Sequence, residues 1–185
     1  MKSTVLLLTL FSLFGCTSPT ATPQPPVQDT LIRATNFNGK GGIEIEGYRW
    51  TSQNDAKGNG LMLRDVENRS TNLRPKPAVD EDTQAMLNSS IAQAGTLTIN
   101  QVMYGAQYEM YFWFMENQRG AQRSMSVEIE EERFDDPIGN LPYKHWSRFG
   151  PYPVDLSDGE LNIVLTTADP KQNAEIMGML LVKPE

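Results

Sequence analysis

Trp50 and Tyr48 stand together at the end of a short alternating segment, and Tyr104 stands just ahead of the most aromatic run in the chain. Gln118, Arg119, Asp169 and Asn173 fall in segments of loop composition. Flat rings beside convergent hydrogen-bonding side chains suit a saccharide: a ring takes the apolar face of the sugar, and polar side chains take its hydroxyls. Trp50 and Tyr104 are the candidate stacking residues, and Asp169 is the candidate hydroxyl contact. For each ring the competing role is packing in the core or at its rim, because large apolar side chains are mostly structural.

Other chemistries find less material. His145 is the only histidine and no serine stands in a nucleophile elbow, so the chain is expected not to be an enzyme. Glu130, Glu131 and Glu132 with Asp135 and Asp136 offer paired carboxylates for glycoside hydrolysis only if their spacing in space is right. As a solvated strand end and turn, the same residues need no function. Their order does not match an EF-hand calcium loop. The glycine-rich stretch Asn36 to Gly42 lacks the strand and helix that flank a phosphate loop and is read as a turn. Neither a cofactor nor a metal is expected.

The elements that must position these residues are strands. From Tyr108 to Glu116, alternation puts Met110, Phe112 and Phe114 on one face and Glu109, Tyr111, Trp113 and Met115 on the other. A strand apolar on both faces is central and covered on each side. Tyr111 and Trp113 form either an exposed platform or a surface buried under a loop spanning Pro142 to Pro153. Leu31–Ala34, Ile43–Glu46, Leu61–Leu63, Thr96–Ile99, Ser124–Ile129, Leu161–Leu165 and Glu175–Val182 also read as strands. Thr51–Gly60 reads as a polar loop, and Asp136–Asn140 reads as a turn. One short helix is expected within Thr83–Gln93, from the spacing of Met86, Leu87 and Ile91. Short strands separated by Gly, Pro and Asn turns predict an all-β antiparallel sandwich over residues 31–185.

The first thirty residues predict an address. Lys2 precedes a short apolar run, Val5 to Phe14, that is too short to span a membrane, so residues 1–15 read as a signal peptide. Cys16 follows directly and is the only cysteine, which leaves the folded part without a disulfide or a thiolate metal site. Leu13-Phe14-Gly15-Cys16 resembles the lipobox of bacterial lipoproteins, which implies acylation of Cys16 and attachment to a membrane. Thr17 after the cysteine resembles the enterobacterial pattern for the outer membrane. Residues 16–30 form a tether with four prolines, extended and solvated. A net charge of -7 argues against nucleic acid and anionic lipid as partners.

The domain also carries an ordered set of motifs. These are Ile43-x-Ile-x-Gly47-x-x-Trp50, Tyr108-x-x-Tyr-x-x-Phe114-Met-Glu116, Met125-x-Val-x-Ile129, Gly150-Pro-Tyr-Pro-Val-Asp155, Gly159-x-Leu-x-Ile163 and Ala174-Glu-Ile-Met-Gly178. Their order resembles a malectin-type carbohydrate-binding domain and, more broadly, the galactose-binding jelly rolls. The resemblance implies a jelly roll that binds an oligosaccharide or polysaccharide without catalysis, with Asp169 as an acidic contact ahead of the closing strand. Where malectin proper carries aromatic residues after Phe-x-Glu, this chain has Asn117-Gln118-Arg119. The alternative expectation is an adaptor lipoprotein whose jelly roll holds a protein partner.

Overall fold

The computed structural model describes residues 30–103, 107–156 and 158–184. The expected signal segment, Cys16, the tether as far as residue 29 and Tyr104 lie outside the described residues.

In chain order the elements begin with β1 (Thr30–Asn36), β2 (Glu44–Ile45), β3 (Tyr48–Arg49), β4 (Thr51–Ser52), α1 (Gln53–Gly58), β5 (Leu61–Leu63) and β6 (Glu67–Ser70). They continue with α2 (Glu81–Leu87), β7 (Ser89–Ala94), β8 (Thr96–Val102), β9 (Gln107–Met115), β10 (Ser124–Ile129) and β11 (Glu132–Gly139). The last are β12 (Trp146–Asp155), β13 (Glu160–Thr167), β14 (Asn173–Ile176) and β15 (Gly178–Lys183). Among the described residues, one five-stranded sheet runs β12-β9-β15-β1-β4 and another runs β11-β10-β13-β8-β5. A three-stranded sheet, β14-β7-β6, and the short β2–β3 ladder complete the architecture. The expected all-β antiparallel sandwich is the fold observed.

The core follows from alternation. On β9, Met110, Phe112 and Phe114 are fully buried. Facing them, Leu97, Ile99, Val127, Ile163 and Leu165 are buried on β8, β10 and β13, in a register that pairs Ile99 with Ile163 and Leu165 with Val127. The other face of β9 is closed at its C-terminal end by Trp50. The two indoles meet edge to face, with ring centroids of Trp50 and Trp113 5.0 Å apart. Gly178 makes this possible, because a Cβ there would lie 2.7 Å from the Trp50 ring and 2.6 Å from the Met86 sulfur.

Several expectations are corrected. The expected covering loop, Pro142 to Pro153, becomes strand β12 from Trp146 onward and pairs beside β9, from Trp146↔Met115 to Asp155↔Gln107. The helix expected within Thr83–Gln93 ends at Leu87. The Asn88 backbone and side chain both cap Gln84 O, and the chain leaves as β7, which carries Ile91 into the core as a strand residue. At the start of α2, Asp80 accepts from the Thr83 backbone N–H at 2.8 Å, and this bond holds its carboxyl below the usual range. The loop expected at Thr51–Gly60 contains α1, capped by Ser52 accepting from Asp55 N. With Gln53 and Ala56 its only buried residues, α1 gives no apolar period to read.

The closing strand expected from Glu175 to Val182 is divided at Met177, where the chain passes from the small sheet to the large one. Met177 stays bonded during the step, donating to Trp113 O and accepting from Phe37 N, both at 3.0 Å. The turn expected at Asp136–Asn140 lies within β11 as far as Gly139, because a bulge absorbs Pro137. Glu130 and Glu131 form the β10–β11 turn with φ values of 51° and 65°, so the acidic run is a strand end and a turn.

Candidate functional site

The site is built outward from one carboxylate. β9 ends at Met115, and the next residue, Glu116, is fully buried. Its Oε1 accepts from Gln118 N and its Oε2 from Arg123 N, each at 3.0 Å. One side chain therefore folds the segment 117–122 across the end of the sandwich. The backbone of Glu116 is fixed too, donating to His145 O at 2.9 Å and accepting from Lys144 N at 2.6 Å.

Arg123 lies beneath that loop with no exposed surface. Its Nη2 donates to Glu116 Oε1 at 2.9 Å and to Asn117 Oδ1 at 2.8 Å, while its Nη1 is paired with Glu175. Glu175 is equally buried and also accepts from Ser90 Oγ at 2.6 Å and Asn117 Nδ2 at 2.7 Å. A buried charge is tolerated only when paired and hydrogen-bonded, and this network meets both conditions.

The small sheet supplies the opposite wall. Register sets Glu67 and Glu175 on either side of Ala92, and Arg69 opposite Ser90, so Glu67, Arg69 and Glu175 share one face. Arg69 donates through Nε and Nη2 to Glu67 Oε2 at 3.0 and 2.5 Å, and its Nη1 lies 3.9 Å from Glu175 Oε2. The Asn173 amide, turned with its oxygen toward Arg69, accepts from both Nη atoms at 2.7 and 2.8 Å. Between this face and the 117–122 loop lies a hollow of about 400 Å³ lined by Glu67, Arg69, Ser70, Thr71, Asn117 and Gln118. All six lining side chains are polar, and they include one cation and one anion. Alongside, the Arg119 guanidinium sits 5.2 Å from the Tyr143 ring centroid.

The expected site residues separate. Trp50 is corrected: it is fully buried, with its indole N–H bonded to Ile45 O at 3.3 Å, so it presents no ring to a ligand. Asp169 is exposed in the turn ahead of β14, where its Oδ1 accepts from Lys171 N at 3.0 Å. It does not line the hollow, although Asn173, at the end of the same connection, touches Arg69. Gln118 lines the hollow as a loop residue. Sequence reasoning missed Arg69, Glu67, Arg123 and the buried carboxylates. A signal for the last was present, since Glu116 and Glu175 each stand inside an apolar run, where a lone charge needs a partner. Among the described residues, no group of three or more His, Cys, Asp or Glu could hold a metal ion.

No family model matches the chain, and no curated protein matches it in sequence. Solved structures do resemble it. A β-glucuronidase of Bacteroides uniformis superposes with a TM-score of 0.66 at 10% identity, over 83% of this chain and 18% of the enzyme. The ANXUR2 extracellular domain from Arabidopsis thaliana gives 0.63 at 15% identity, over 84% of this chain and 49% of the domain. A plant complex of the peptide RALF23 with FER and LLG2 gives 0.58 at 15% identity, over 85% of this chain and 42% of its match. The chain therefore spans less than half of each matched protein. At these identities the likeness is one of fold, consistent with the malectin-like, galactose-binding-like sandwich that the motifs resemble.

Proposed function

We propose that this chain is a non-catalytic carbohydrate-binding protein of the bacterial cell envelope, anchored by a lipid on Cys16. The loop-end hollow carries the reading. Arg69 and Asn117 spend most of their hydrogen bonds within the protein, so the Gln118 amide, the Glu67 carboxylate and the Ser70 and Thr71 hydroxyls are the groups left to take sugar hydroxyls. The backbone that carries Asn117 and Gln118 is fixed beforehand by Glu116, Arg123 and Glu175, and Arg69 is fixed by Glu67 and Asn173, which lowers the ordering cost of binding. With no ring in the lining, the hollow suits the hydroxyl-rich edge of a sugar rather than its apolar face.

The test is titration of saccharides into the chain carrying Cys16→Ser, with Gln118→Ala and Thr71→Ala as surface variants of the hollow. Each variant should weaken binding about fivefold or more, the worth of a lost hydrogen bond, with the melting temperature unchanged in Gln118→Ala and somewhat lowered in Thr71→Ala, whose hydroxyl also donates to Asn88 Oδ1 at 2.6 Å. A saccharide that binds both variants as well as the parent removes the hollow from the reading. A second reading, an adaptor for a protein partner, draws on the fold neighbour found in a complex with a peptide. It takes precedence if no saccharide binds.

A further inference from the structure

The edge of the sandwich between β11 and β12 carries chemistry that the loop-end hollow leaves unused. On β11, Asp135, Asp136 and Pro137 stand opposite the single residue Ser126, because Val127 pairs with Phe134 and Met125 with Ile138. On β12, Gly150 and Pro151 stand opposite Tyr111 alone, between the pairs Phe149↔Phe112 and Tyr152↔Met110. Extra residues bend a strand away from its neighbour and re-aim its side chains. Gly150 is required at the second bulge: its φ is +114°, and a Cβ would lie 2.5 Å from Met110 O. The two bulged strands are joined across the edge, where the Tyr152 hydroxyl donates to Asp136 O at 2.9 Å and the Tyr152 and Phe134 rings meet at 5.2 Å.

A hollow opens on each side of this junction. One, of about 340 Å³, has Ser124, Ser126, Thr166, Arg133 and Asp135 in its lining. The other, of about 420 Å³, has Asp136, Arg148, Phe149 and Pro151 in its lining, and Pro137 is common to both. Each falls within the ~300–1,000 Å³ range of ligand sites. Arg148 is held in place, since its guanidinium lies 4.9 Å from the Tyr111 ring centroid and is paired with Glu46. With Glu46 paired to Arg148, the two cations Arg133 and Arg148 meet three anions, Asp135, Asp136 and Glu46, so the edge holds no surplus positive charge for an anionic ligand. Guanidinium and carboxylate groups instead match vicinal diols, the serine and threonine hydroxyls add single bonds, and half-buried Phe149 with the two prolines offers apolar surface.

We propose that this bulged edge is a second saccharide site, one that takes a neutral oligosaccharide of two or more units lying along β11 and β12. It does not depend on the loop-end reading, because the two sites share no lining residue. The test uses the chain carrying Cys16→Ser, labelled for amide NMR and titrated with neutral gluco-, manno- and xylo-oligosaccharides of two to six units. Shifts are expected at the amides of Ser126, Asp135 and Arg148, weakened tenfold or more by Asp135→Ala and by Arg148→Ala and unaltered by Gln118→Ala. Asp135→Asn and Arg148→Lys, which keep shape or charge, serve where an alanine variant fails to fold. Shifts confined to residues 117–119 would overturn the edge site and leave the loop-end reading standing. The edge site is also overturned if no oligosaccharide moves these amides at millimolar concentration, or if the edge variants bind as the parent does.

Discussion

Arg123→Met is the substitution with the most to say about how the loop end is held. It keeps much of the side-chain stem and removes the guanidinium from between two carboxylates that have no exposed side-chain surface. The two do not suffer equally. Glu175 keeps Arg69 at 3.9 Å together with the hydrogen bonds from Ser90 and Asn117. Glu116 keeps two backbone N–H donors, from Gln118 and from residue 123 itself, but loses its cation. Breaking a buried pair by removing one partner costs about 3–5 kcal/mol. The guanidinium also lies 4.9 Å from the Phe114 ring centroid, and its loss there adds a further ~1 kcal/mol. The retained partners pull the total back to roughly 4 kcal/mol, a large share of the ~5–15 kcal/mol that stabilises a domain. With a urea slope of about 2 kcal/mol/M, the unfolding midpoint should fall by about 2 M. The triple variant Arg123→Met, Glu116→Gln and Glu175→Gln leaves no buried charge among the three positions and should recover part of that loss, since an amide at position 116 has one oxygen for the two backbone N–H groups of residues 118 and 123. A fall under about 0.5 M for Arg123→Met, or a triple variant no better than the single, would refute the account of Arg123 as the cation that makes both carboxylates tolerable.

Three further outcomes are expected. Cys16→Ser should abolish lipid labelling and move the protein from the membrane to the soluble fraction, and persistence in membranes after a high-salt wash counts against acylation. Phe112→Ala and Phe114→Ala should each cost about 3–5 kcal/mol in urea unfolding, while Glu128→Ala, exposed on β10, should be near neutral; equal midpoints would contradict the register of β9. The Tyr152 hydroxyl is pushed up to about 12 by burial and, secondarily, by the negative charge of Asp136. Because folding then favours the protonated phenol, its contribution is complete below the unfolded value near 10 and is lost as pH rises from there toward 12. Tyr152→Phe should flatten the stability–pH curve in that window, and an unchanged slope would show that the phenol is not its source.

Where local sequence alone decides an element, the sequence was readable. β9 shows itself because only a strand places Met110, Phe112 and Phe114 together while leaving Trp113 on a second apolar face. β10 and β13 show themselves by plain alternation. Misreadings arose where the deciding contact lies outside the local pattern, as where Thr71 and Leu73 hold the Asn88 side chain. Met86, Leu87 and Ile91 have helical spacing, yet Asn88 ends the helix and Ile91 reaches the core from a strand. Trp50 has the look of a rim residue, and its burial is set by the missing Cβ of Gly178 and the ring of Trp113. Pro137 looks like a turn residue until three β11 residues are seen opposite one on β10. Part of the loop-end site was legible, since Gln118 and Asn173 stand in polar loop sequence. Arg69 was not, because nothing in an irregular polar stretch announces a strand that pairs with Ser90.

The buried charges at the loop end are better explained by position than by stability. Apolar side chains of similar volume would fill the same space at no desolvation cost, and replacing a buried ion pair in this way is often neutral or stabilising. What they could not do is hold Asn117 by both ends of its amide, as Arg123 and Glu175 do at 2.8 and 2.7 Å, or tie Gln118 N and Arg123 N to one carboxylate. Those bonds fix where the 117–122 loop crosses the sandwich, and hence the distance between Gln118 and Arg69 across the hollow. Glu116 and Glu175 break the apolar pattern of their runs at the two points from which that loop can be aimed. A local rule broken with a fully satisfied polar network beneath an open polar hollow is the expected signature of a functional site. The triple variant separates the two roles directly: regained urea stability together with lost saccharide binding would assign the network to positioning, and binding retained at full strength would leave it a purely structural device.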